Sequence, residues 1–512
     1  MSPKTLLVPL VVLFAVYSPS SHALFGEFFK YRGGMESKLS DFKDTINSED
    51  FSTSECQDLV SVAVERFNDH EFDSDEIKEL LKDTQIIQKV YRVRQEMLTK
   101  FKEWHRLDNS YRDTACADEI RKMNDELRWV EDYLGAHLHE RRGKSDKKLQ
   151  PTFSGIYPNL LTPNGKKFNY KKDILDGDIL VTKGNFFFSG ALAKIGKIDT
   201  RFSHQGILHR RDGDIYAAEA HPEIGSTIRK IELMNNNDKN VRTMVLRFSD
   251  SAIAAKAGNH GYSLVKDGVL DEHGKRVNIP YDFWMDYSET DYIFCSELVS
   301  HSFHVATEGE TYFPTYRTNI ELTKSDFAKN LGIQNADAIH PGDIEFDYRV
   351  ETVAEWRDYS RIMDNLIKDE LLGMLYHWME KKDYFLDTSA KAAFHENVTF
   401  KLRPLPLFSS LLHDFFPTHM PKEYVGTIVT LRSAGQPLYT RLAEENEETF
   451  REKGRFMQRR EMQVYLEKLR RKDHQRWLKW RALKKNPRRY RESLRRNQHL
   501  PWFHSQFHPP TK

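Results

Sequence analysis

The sequence is poor in cysteine and has no long internal hydrophobic run. Its 512 residues contain only 3 Cys, with 25 Gly and 19 Pro, which excludes a disulfide-dense miniprotein and a collagen-like fibre. No internal stretch reaches the roughly 20 apolar residues that a membrane helix needs, so a polytopic membrane protein is excluded. With 39% hydrophobic and 12% aromatic residues, the chain is not disordered and has the length of two or three ordinary domains.

The N-terminus has the layout of a secretory signal peptide over residues 1–23. Lys4 precedes an apolar run over residues 6–17, and the small residues Ser21 and Ala23 stand three and one before a possible cleavage site. An uncleaved anchor is the alternative, but the run is short of the ~20 residues that span a bilayer. We therefore expect an exported protein, periplasmic or secreted, that is cleaved near Ala23.

The three cysteines leave one disulfide pairing open. Cys56 and Cys116 each begin a predicted helix, and Cys295 would then be the free thiol. The helix predicted between the first two, over about 76–106, would span roughly 46 Å if straight, against about 25 Å for the helix at 53–69. Stacked antiparallel, these helices would hold the two cysteines beyond the ~7 Å Cα limit. A break in the long helix would allow them to pair.

Hydrophobic patterning divides the remainder of the chain into four blocks. Residues 24–150 repeat apolar side chains with a period near 3.6, which predicts a helical domain. Residues 151–350 carry short β-rich runs separated by Gly, Asn and Pro, which predicts a compact α+β domain. A helical extension is predicted over 351–440, followed by a basic helical tail over 441–512.

The net charge of +1 conceals an uneven distribution of charge between this tail and the rest of the chain. Residues 451–512 hold 20 Lys and Arg against 5 Asp and Glu, whereas the preceding 450 residues hold 57 against 71. Aromatic residues such as Trp477 and Trp480 lie among the cations. This pattern is typical of a segment that binds an anionic envelope surface. The alternative is a tail that folds back onto the acidic body. Nucleic acid is not an expected partner of an exported protein, although the charge alone would permit it.

One hairpin brings polar side chains to the same face of a predicted sheet. Asp-Gly at 212–213 lies between two β-rich runs, which is a strong signal for a two-residue turn. Counting outward from it pairs Gly206 with Glu219 and His204 with His221. Side chains alternate faces along a strand, so His204, Glu219 and His221 share one face. An imidazole beside a carboxylate is part of a nucleophilic triad, although a solvated polar pair is the simpler interpretation of the hairpin alone.

Cys295 supplies a candidate nucleophile. It follows an apolar and aromatic approach and opens a predicted helix, where the helix dipole and free backbone N–H groups stabilise a thiolate. The same N–H groups can stabilise a developing oxyanion. The alternative is an inert, buried cysteine, which is a common environment for a free thiol.

Six fragments in chain order resemble the permuted papain-like amidases of the bacterial YaeF/YiiX type. They are Leu-Asp-Gly-Asp-Ile-Leu at 175–180, Phe-Ser-His-Gln-Gly-Ile at 202–207, Tyr-Ala-Ala-Glu-Ala at 216–220, Tyr-Asp-Phe at 281–283, Tyr-Ile-Phe-Cys-Ser-Glu-Leu-Val at 292–299 and Pro-Gly-Asp-Ile at 341–344. That family is related to the NlpC-type cell-wall peptidases and to lecithin:retinol acyltransferase. The resemblance covers about a third of the chain and leaves the flanking helical regions unexplained.

The resemblance implies a fold and a set of catalytic residues. The fold would be α+β, a circularly permuted papain-like domain in which an antiparallel sheet packs with a helix that bears the cysteine. Cys295 would be the nucleophile, His204 the general base and Glu219 the third residue that orients the histidine. Some relatives use His at the third position, which leaves His221 as the alternative. The permutation places His before Cys in the chain, as here.

These observations together predict an exported cysteine hydrolase of the amidase or peptidase type. Its thiolate would attack an amide or ester carbonyl of a cell-envelope peptide or an acylated amine. A lipid acyl hydrolase or acyltransferase, and a non-catalytic envelope-binding scaffold, are the alternatives. We expect no cofactor and no metal, since the sequence contains neither a zinc-ligand spacing nor a Gly-rich phosphate loop.

Overall fold

The computed structural model describes residues 34–143, 154–155, 158–185, 187–194, 196, 198–222, 224–231, 240–285, 290–310, 313, 316–317, 337–338, 340–387, 422–495 and 500–510. The predicted signal peptide and its cleavage site lie outside these residues. Across the described ranges the chain has a mixed α+β architecture, so the predicted fold class is confirmed at that level. In these ranges we find no helix with the length and hydropathy that crossing a membrane requires.

The helices lie mainly at the two ends of the described chain. They are α1 (Met35–Asn47), α2 (Cys56–Asn68), α3 (Ser74–Leu80), α4 (Ile86–Leu107), α5 (Ala115–Arg142), α6 (Tyr170–Asp173), α7 (Phe187–Ala193), α8 (Ser251–Asp267), α9 (Cys295–Ala306), α10 (Tyr359–Lys382), α11 (Lys422–Lys453), α12 (Arg459–Lys484) and α13 (Pro487–Arg495). Two short 3₁₀ helices, η1 (Asn109–Asp113) and η2 (Asp343–Phe346), are also present.

The strands lie mainly in the middle of the chain. They are β1 (Ser154–Gly155), β2 (Leu160–Leu161), β3 (Phe168–Asn169), β4 (Ile179–Gly184), β5 (His204–Arg211), β6 (Asp214–His221), β7 (Gly225–Lys230), β8 (Asn240–Phe248), β9 (Val269–Leu270), β10 (Arg276–Val277), β11 (Tyr316–Arg317), β12 (Asp337–Ala338), β13 (Val350–Arg357), β14 (Phe385–Leu386) and β15 (Phe507–His508). Seven of them form one antiparallel sheet in the order β2-β13-β8-β4-β5-β6-β7.

Both faces of the central sheet are covered. Successive residues of β4 point to opposite sides, so Ile179 and Val181 belong to a core with α8, α9 and α10, while Leu180 belongs to a smaller core on the other face. The long buried runs in these strands follow from this double coverage. The helix that begins at Cys295 is thereby held against β5 and β6.

A disulfide joins Cys56, the first residue of α2, to Cys116, near the start of α5. Their Cα atoms are 5.6 Å apart. The argument against this pairing rests on a single long helix predicted over 76–106, and that prediction is wrong. Helix α3 ends at Leu80 and α4 begins at Ile86, so the break that would allow the pairing is present.

Buried charges connect the N-terminal helices to the sheet. Four arginines and four carboxylates at this contact have side chains no more than 1% exposed. They are Arg94, Arg128, Arg242, Arg357, Glu131, Asp132, Glu345 and Glu355. Arg94 contacts three of the carboxylates. Its Nε lies 2.9 Å from Glu131, its Nη1 lies 2.9 Å from Glu345, and its Nη2 contacts Glu355. Opposite charges are equal in number, which is what makes their burial tolerable.

The described part of the C-terminal tail packs back onto α10. Trp378 of α10 is fully buried and stacks on Phe503, with ring centroids 6.0 Å apart. The carboxylate of Asp473 in α12 accepts from the backbone N–H groups of Trp502 and His504 at 2.6 and 3.1 Å. The strand pair β14–β15 closes the same region. The described part of the tail is therefore folded, and it keeps exposed cations such as Arg471 and Arg488.

Candidate active site

The β5–β6 hairpin has the register that the sequence predicts. Gly206 pairs with Glu219, and the turn residues Asp212 and Gly213 both have positive φ, 53° and 83°, as a type I′ turn requires. His204 Nε2 lies 3.0 Å from Glu219 Oε1. A side chain at position 206 would not fit, because a Cβ there would lie 2.7 Å from Cγ of Glu219.

Helix α9 brings Cys295 to this hairpin. His204 and the backbone N–H of Gln205 both lower the pKa of the Cys295 thiol, which places them beside the sulfur, and Sγ also lies 3.9 Å from Oγ of Ser296. Since Nε2 of His204 faces Glu219, its Nδ1 is the nitrogen left for the thiol. Cys295 is 5% exposed, so the contact is largely shielded from water. The three candidate catalytic residues thus lie together, with His204 between the Glu219 carboxylate and the Cys295 thiol.

The electrostatics of the pair favour charge separation. Burial opposes the thiolate, but the hydrogen bond and charge of His204 outweigh it and lower the pKa of Cys295 below its ordinary value. Burial likewise opposes the imidazolium, but the hydrogen bonds to Cys295 and Glu219 outweigh it and raise the pKa of His204 to about 10. The two shifts together favour the thiolate–imidazolium form of the pair over two neutral groups.

Glu219 is fully buried and still ionised. Burial alone would raise its pKa, but the hydrogen bonds and positive charges of His204 and Arg229 hold the pKa of this carboxyl well below its usual range. Arg229 lies on β7 and donates through Nε to Glu219 Oε2 at 2.9 Å. It is the residue of this site that the sequence analysis missed.

His221 lies on the predicted face, and its ring stacks on the ring of His204. Among the described residues, no hydrogen bond joins these two rings. The ring centroids are 4.4 Å apart. Arg229 Nη2 lies 2.9 Å from His221 Nε2, and since arginine can only donate, that nitrogen carries no proton. Burial, followed by the charge of His204, lowers the pKa of His221. His221 is therefore a neutral ring that packs against His204, and Glu219 is the residue that bonds to it.

The same residues have the chemistry of metal ligands. His204, Glu219 and His221 offer ligand atoms that all lie within 4.8 Å of one another. The guanidinium of Arg229, however, contacts both Glu219 and His221. A fixed cation bonded to two of three donors opposes a second cation, so these side chains fit an ion-pair network better than a metal centre.

Comparison with known proteins adds a loose structural similarity. No protein-family model and no curated protein matches the chain. A solved structure described as metalloprotein YiiX from Escherichia coli O157:H7 is similar to 35% of this chain and 97% of its own, at 17% identity and a TM-score of 0.27. At this TM-score and identity the similarity assigns neither a family nor an activity.

Proposed function

We propose that the protein is an exported cysteine hydrolase with a Cys295–His204–Glu219 triad on a circularly permuted papain-like domain. The observation that carries the proposal is the contact of a helix-N-terminal thiol with an imidazole whose other nitrogen is held by a buried carboxylate. The chain order His, Glu, Cys supports the permutation. The Cys56–Cys116 disulfide supports export, because such bonds persist in oxidising compartments.

The reaction is an acyl transfer in two steps. The Cys295 thiolate attacks the carbonyl carbon, a C–S bond forms, and the carbonyl π electrons move to oxygen. The imidazolium of His204 gives its proton to the leaving nitrogen or oxygen as that bond breaks. Neutral His204 then takes a proton from water, the hydroxide cleaves the thioester, and the proton returns the imidazole to its charged form.

Each neighbouring group has a part in these steps. The backbone N–H of Cys295 stands at the start of α9 and is available to the oxyanion. Glu219 fixes the His204 ring and stabilises its positive charge. The substrate is a carbonyl compound that can reach a shielded thiol, such as a cell-envelope peptide or an acylated amine.

The pH dependence of thiol alkylation tests the proposal directly. Cys295 is the free cysteine beside the Cys56–Cys116 disulfide, so iodoacetamide uptake by the native protein reports on one residue. We expect fast labelling well below the ordinary thiol pKa of about 8.5. His204→Ala removes the group that lowers the thiol pKa, so labelling should become slow until the pH exceeds that value.

A matched control lies on the same strand. His209 of β5 has its ring nitrogen 3.1 Å from Asp176 and takes no part in the site, so His209→Ala should leave the alkylation profile unchanged. A wild-type profile with an ordinary thiol pKa would mean that Cys295 belongs to a non-catalytic scaffold.

Substrate profiling then separates amide from ester chemistry. Fluorogenic amides and esters with the same acyl group should be hydrolysed by the wild type and not by Cys295→Ala. Amide turnover fits a peptidase or amidase, and turnover of long-chain esters alone fits a lipid acyl hydrolase or acyltransferase. Undiminished turnover in Cys295→Ala would rule out the assigned nucleophile.

The outer face of the tail supports a second part of the proposal, attachment to an anionic envelope surface. The side chains of Arg471 and Arg488 are 74% and 91% exposed. We expect salt-sensitive sedimentation with phosphatidylglycerol vesicles. Arg488→Glu with Arg489→Glu should abolish it. Lys78→Glu with Lys82→Glu should not, because these exposed positions lie in α3 and in the turn that follows it. Equal binding by both variants would contradict a role for the tail.

A further inference from the structure

A charged cavity lies apart from the cysteine site, between α5, α10, α12 and the segment that follows α7. Its volume is about 800 Å³, within the range of pockets that hold small-molecule ligands. None of the triad residues lines it. Its walls carry five arginine and lysine side chains against three carboxylates, which are Asp125, Glu370 and Glu467.

The three carboxylates of this cavity are already engaged. Each accepts hydrogen bonds from at least two donors of the protein. The pairs are Asp125 with Arg201 and Arg459, Glu370 with Arg459 and Gln463, and Glu467 with Arg470 and Trp378. Little of the negative charge is therefore free to attract a cation.

The cations have donors to spare. The side chain of Arg201 is 1% exposed, and its Nη1 has no hydrogen-bond partner among the described residues. The carboxylate of Asp369 forms an ion pair with this nitrogen, but its Oδ2 is 3.9 Å away, beyond hydrogen-bond range. Lys194 donates one of its three N–H bonds to Asp199. Gly373 leaves space beside it, since even a Cβ there would lie 3.7 Å from Nζ of Lys194.

We propose that this cavity binds a ligand through a phosphate group. Arg201 and Lys194 would donate to its oxygens from inside the cavity, and the exposed cations Lys468 and Arg471 of α12 would attract it at the rim. A tetrahedral oxyanion suits donors that approach from different directions, and charge-assisted hydrogen bonds to phosphate are among the stronger polar contacts in proteins. The phosphate belongs either to a free small molecule or to a phospholipid headgroup.

Calorimetric titration of the full chain with inorganic pyrophosphate tests the site. We expect saturable binding that Lys194→Met weakens by more than about tenfold and that Lys468→Ala with Arg471→Ala weakens by about fivefold. The rim variant changes only exposed side chains, so it keeps the test valid if the interior variant unfolds. Arg460→Ala is the matched control, because Arg460 is an exposed cation of the same helix that does not line the cavity.

Vesicle sedimentation separates the two sources of phosphate. Pyrophosphate binding that the cavity variants lose, with vesicle binding unchanged, identifies a free phosphate ligand. Loss of phosphatidylglycerol vesicle binding in those variants, without pyrophosphate binding, identifies a headgroup. No binding of either probe up to about 10 mM, or binding that no cavity variant changes, overturns the site. Cys295→Ala should bind as the wild type does, so this result is independent of the hydrolase proposal.

Discussion

At the scale of single residues, Arg229 explains how a fully buried carboxylate stays charged. Glu219 has no contact with bulk water, and an isolated carboxylate in such a place would be neutral. Arg229 supplies a hydrogen bond and a positive charge from the next strand. The charge of Glu219 in turn supports the imidazolium of His204. Arg229 thus acts on Cys295 only through other side chains, which makes it a positioning residue.

Replacing Arg229 should therefore change a pH profile. Arg229→Met removes one of the groups that lower the pKa of Glu219, so this pKa rises. The support that ionised Glu219 gives to the thiolate is lost as pH falls through that pKa, so the loss begins at a higher pH in the variant. We expect Cys295 alkylation at about pH 5 to slow roughly tenfold, with little change near pH 8.

The conservative variant distinguishes charge from structure. Arg229→Lys keeps the cation beside Glu219 and should restore most of the labelling at acidic pH. A uniform slowing at every pH, in both variants, would show that Arg229 contributes only to the fold of the hairpin.

Sequence reasoning reached part of this site and not the rest. The Asp-Gly turn sets the β5–β6 register, so the neighbourhood of His204 and Glu219 follows from counting along the chain. Nothing in residue spacing places Cys295 beside His204, because the contact depends on how α9 packs on the sheet. That contact was implied only by the family resemblance. Arg229 was missed because the β6–β7 turn carries no comparable two-residue signal.

At the scale of elements, the helix break between α3 and α4 shows a limit of hydrophobic periodicity. Apolar residues continue with a helical period across residues 81–85, so the pattern predicts one helix. Locally, Asp83 accepts from the backbone N–H of Gln85 at 2.8 Å, which stabilises a turn in competition with the helix. The apolar face is retained on both sides of the turn, and periodicity alone therefore does not reveal it.

The disulfide that this break permits should stabilise the N-terminal helices. Cys56→Ala with Cys116→Ala opens a loop of 60 residues and should lower the free energy of unfolding by about 2–4 kcal/mol. Urea denaturation under oxidising conditions measures the change. Dithiothreitol should destabilise the wild type by a similar amount and leave the double variant unaffected. Equal sensitivity of the two proteins to the reductant would contradict the pairing.

At the scale of the whole molecule, the buried ion network connects the helical block to the sheet. The sequence pattern divides the chain into these two blocks but does not show that buried charges join them. Arg94 lies in an otherwise amphipathic helix, where an arginine is typical of a solvated face. Its burial depends on carboxylates more than 200 residues away in the chain, Glu345 and Glu355, which local patterns do not predict.

Breaking this network should cost more than breaking a surface ion pair. Glu355→Gln leaves four arginines facing three carboxylates without solvent, so we expect a loss of about 3–5 kcal/mol in the free energy of unfolding. Urea titration followed by tryptophan fluorescence measures it. Arg94→Met with Glu355→Met should cost less than the two single changes together. Lys78→Ala, at an exposed ion pair, should change stability little, and a similar effect at both sites would contradict the argument.

The return of residues 500–510 to α10 sets an order of events during synthesis. Trp378 needs Phe503 and Phe507 as packing partners, yet it leaves the ribosome about 125 residues before them. At about 5–20 residues per second, this large indole is without its cover for several seconds or more. The growing chain must keep that surface from self-association until residues 500–510 have been synthesised. Shielding of nascent chains by a holding chaperone therefore matters more for this protein than for one whose core closes early.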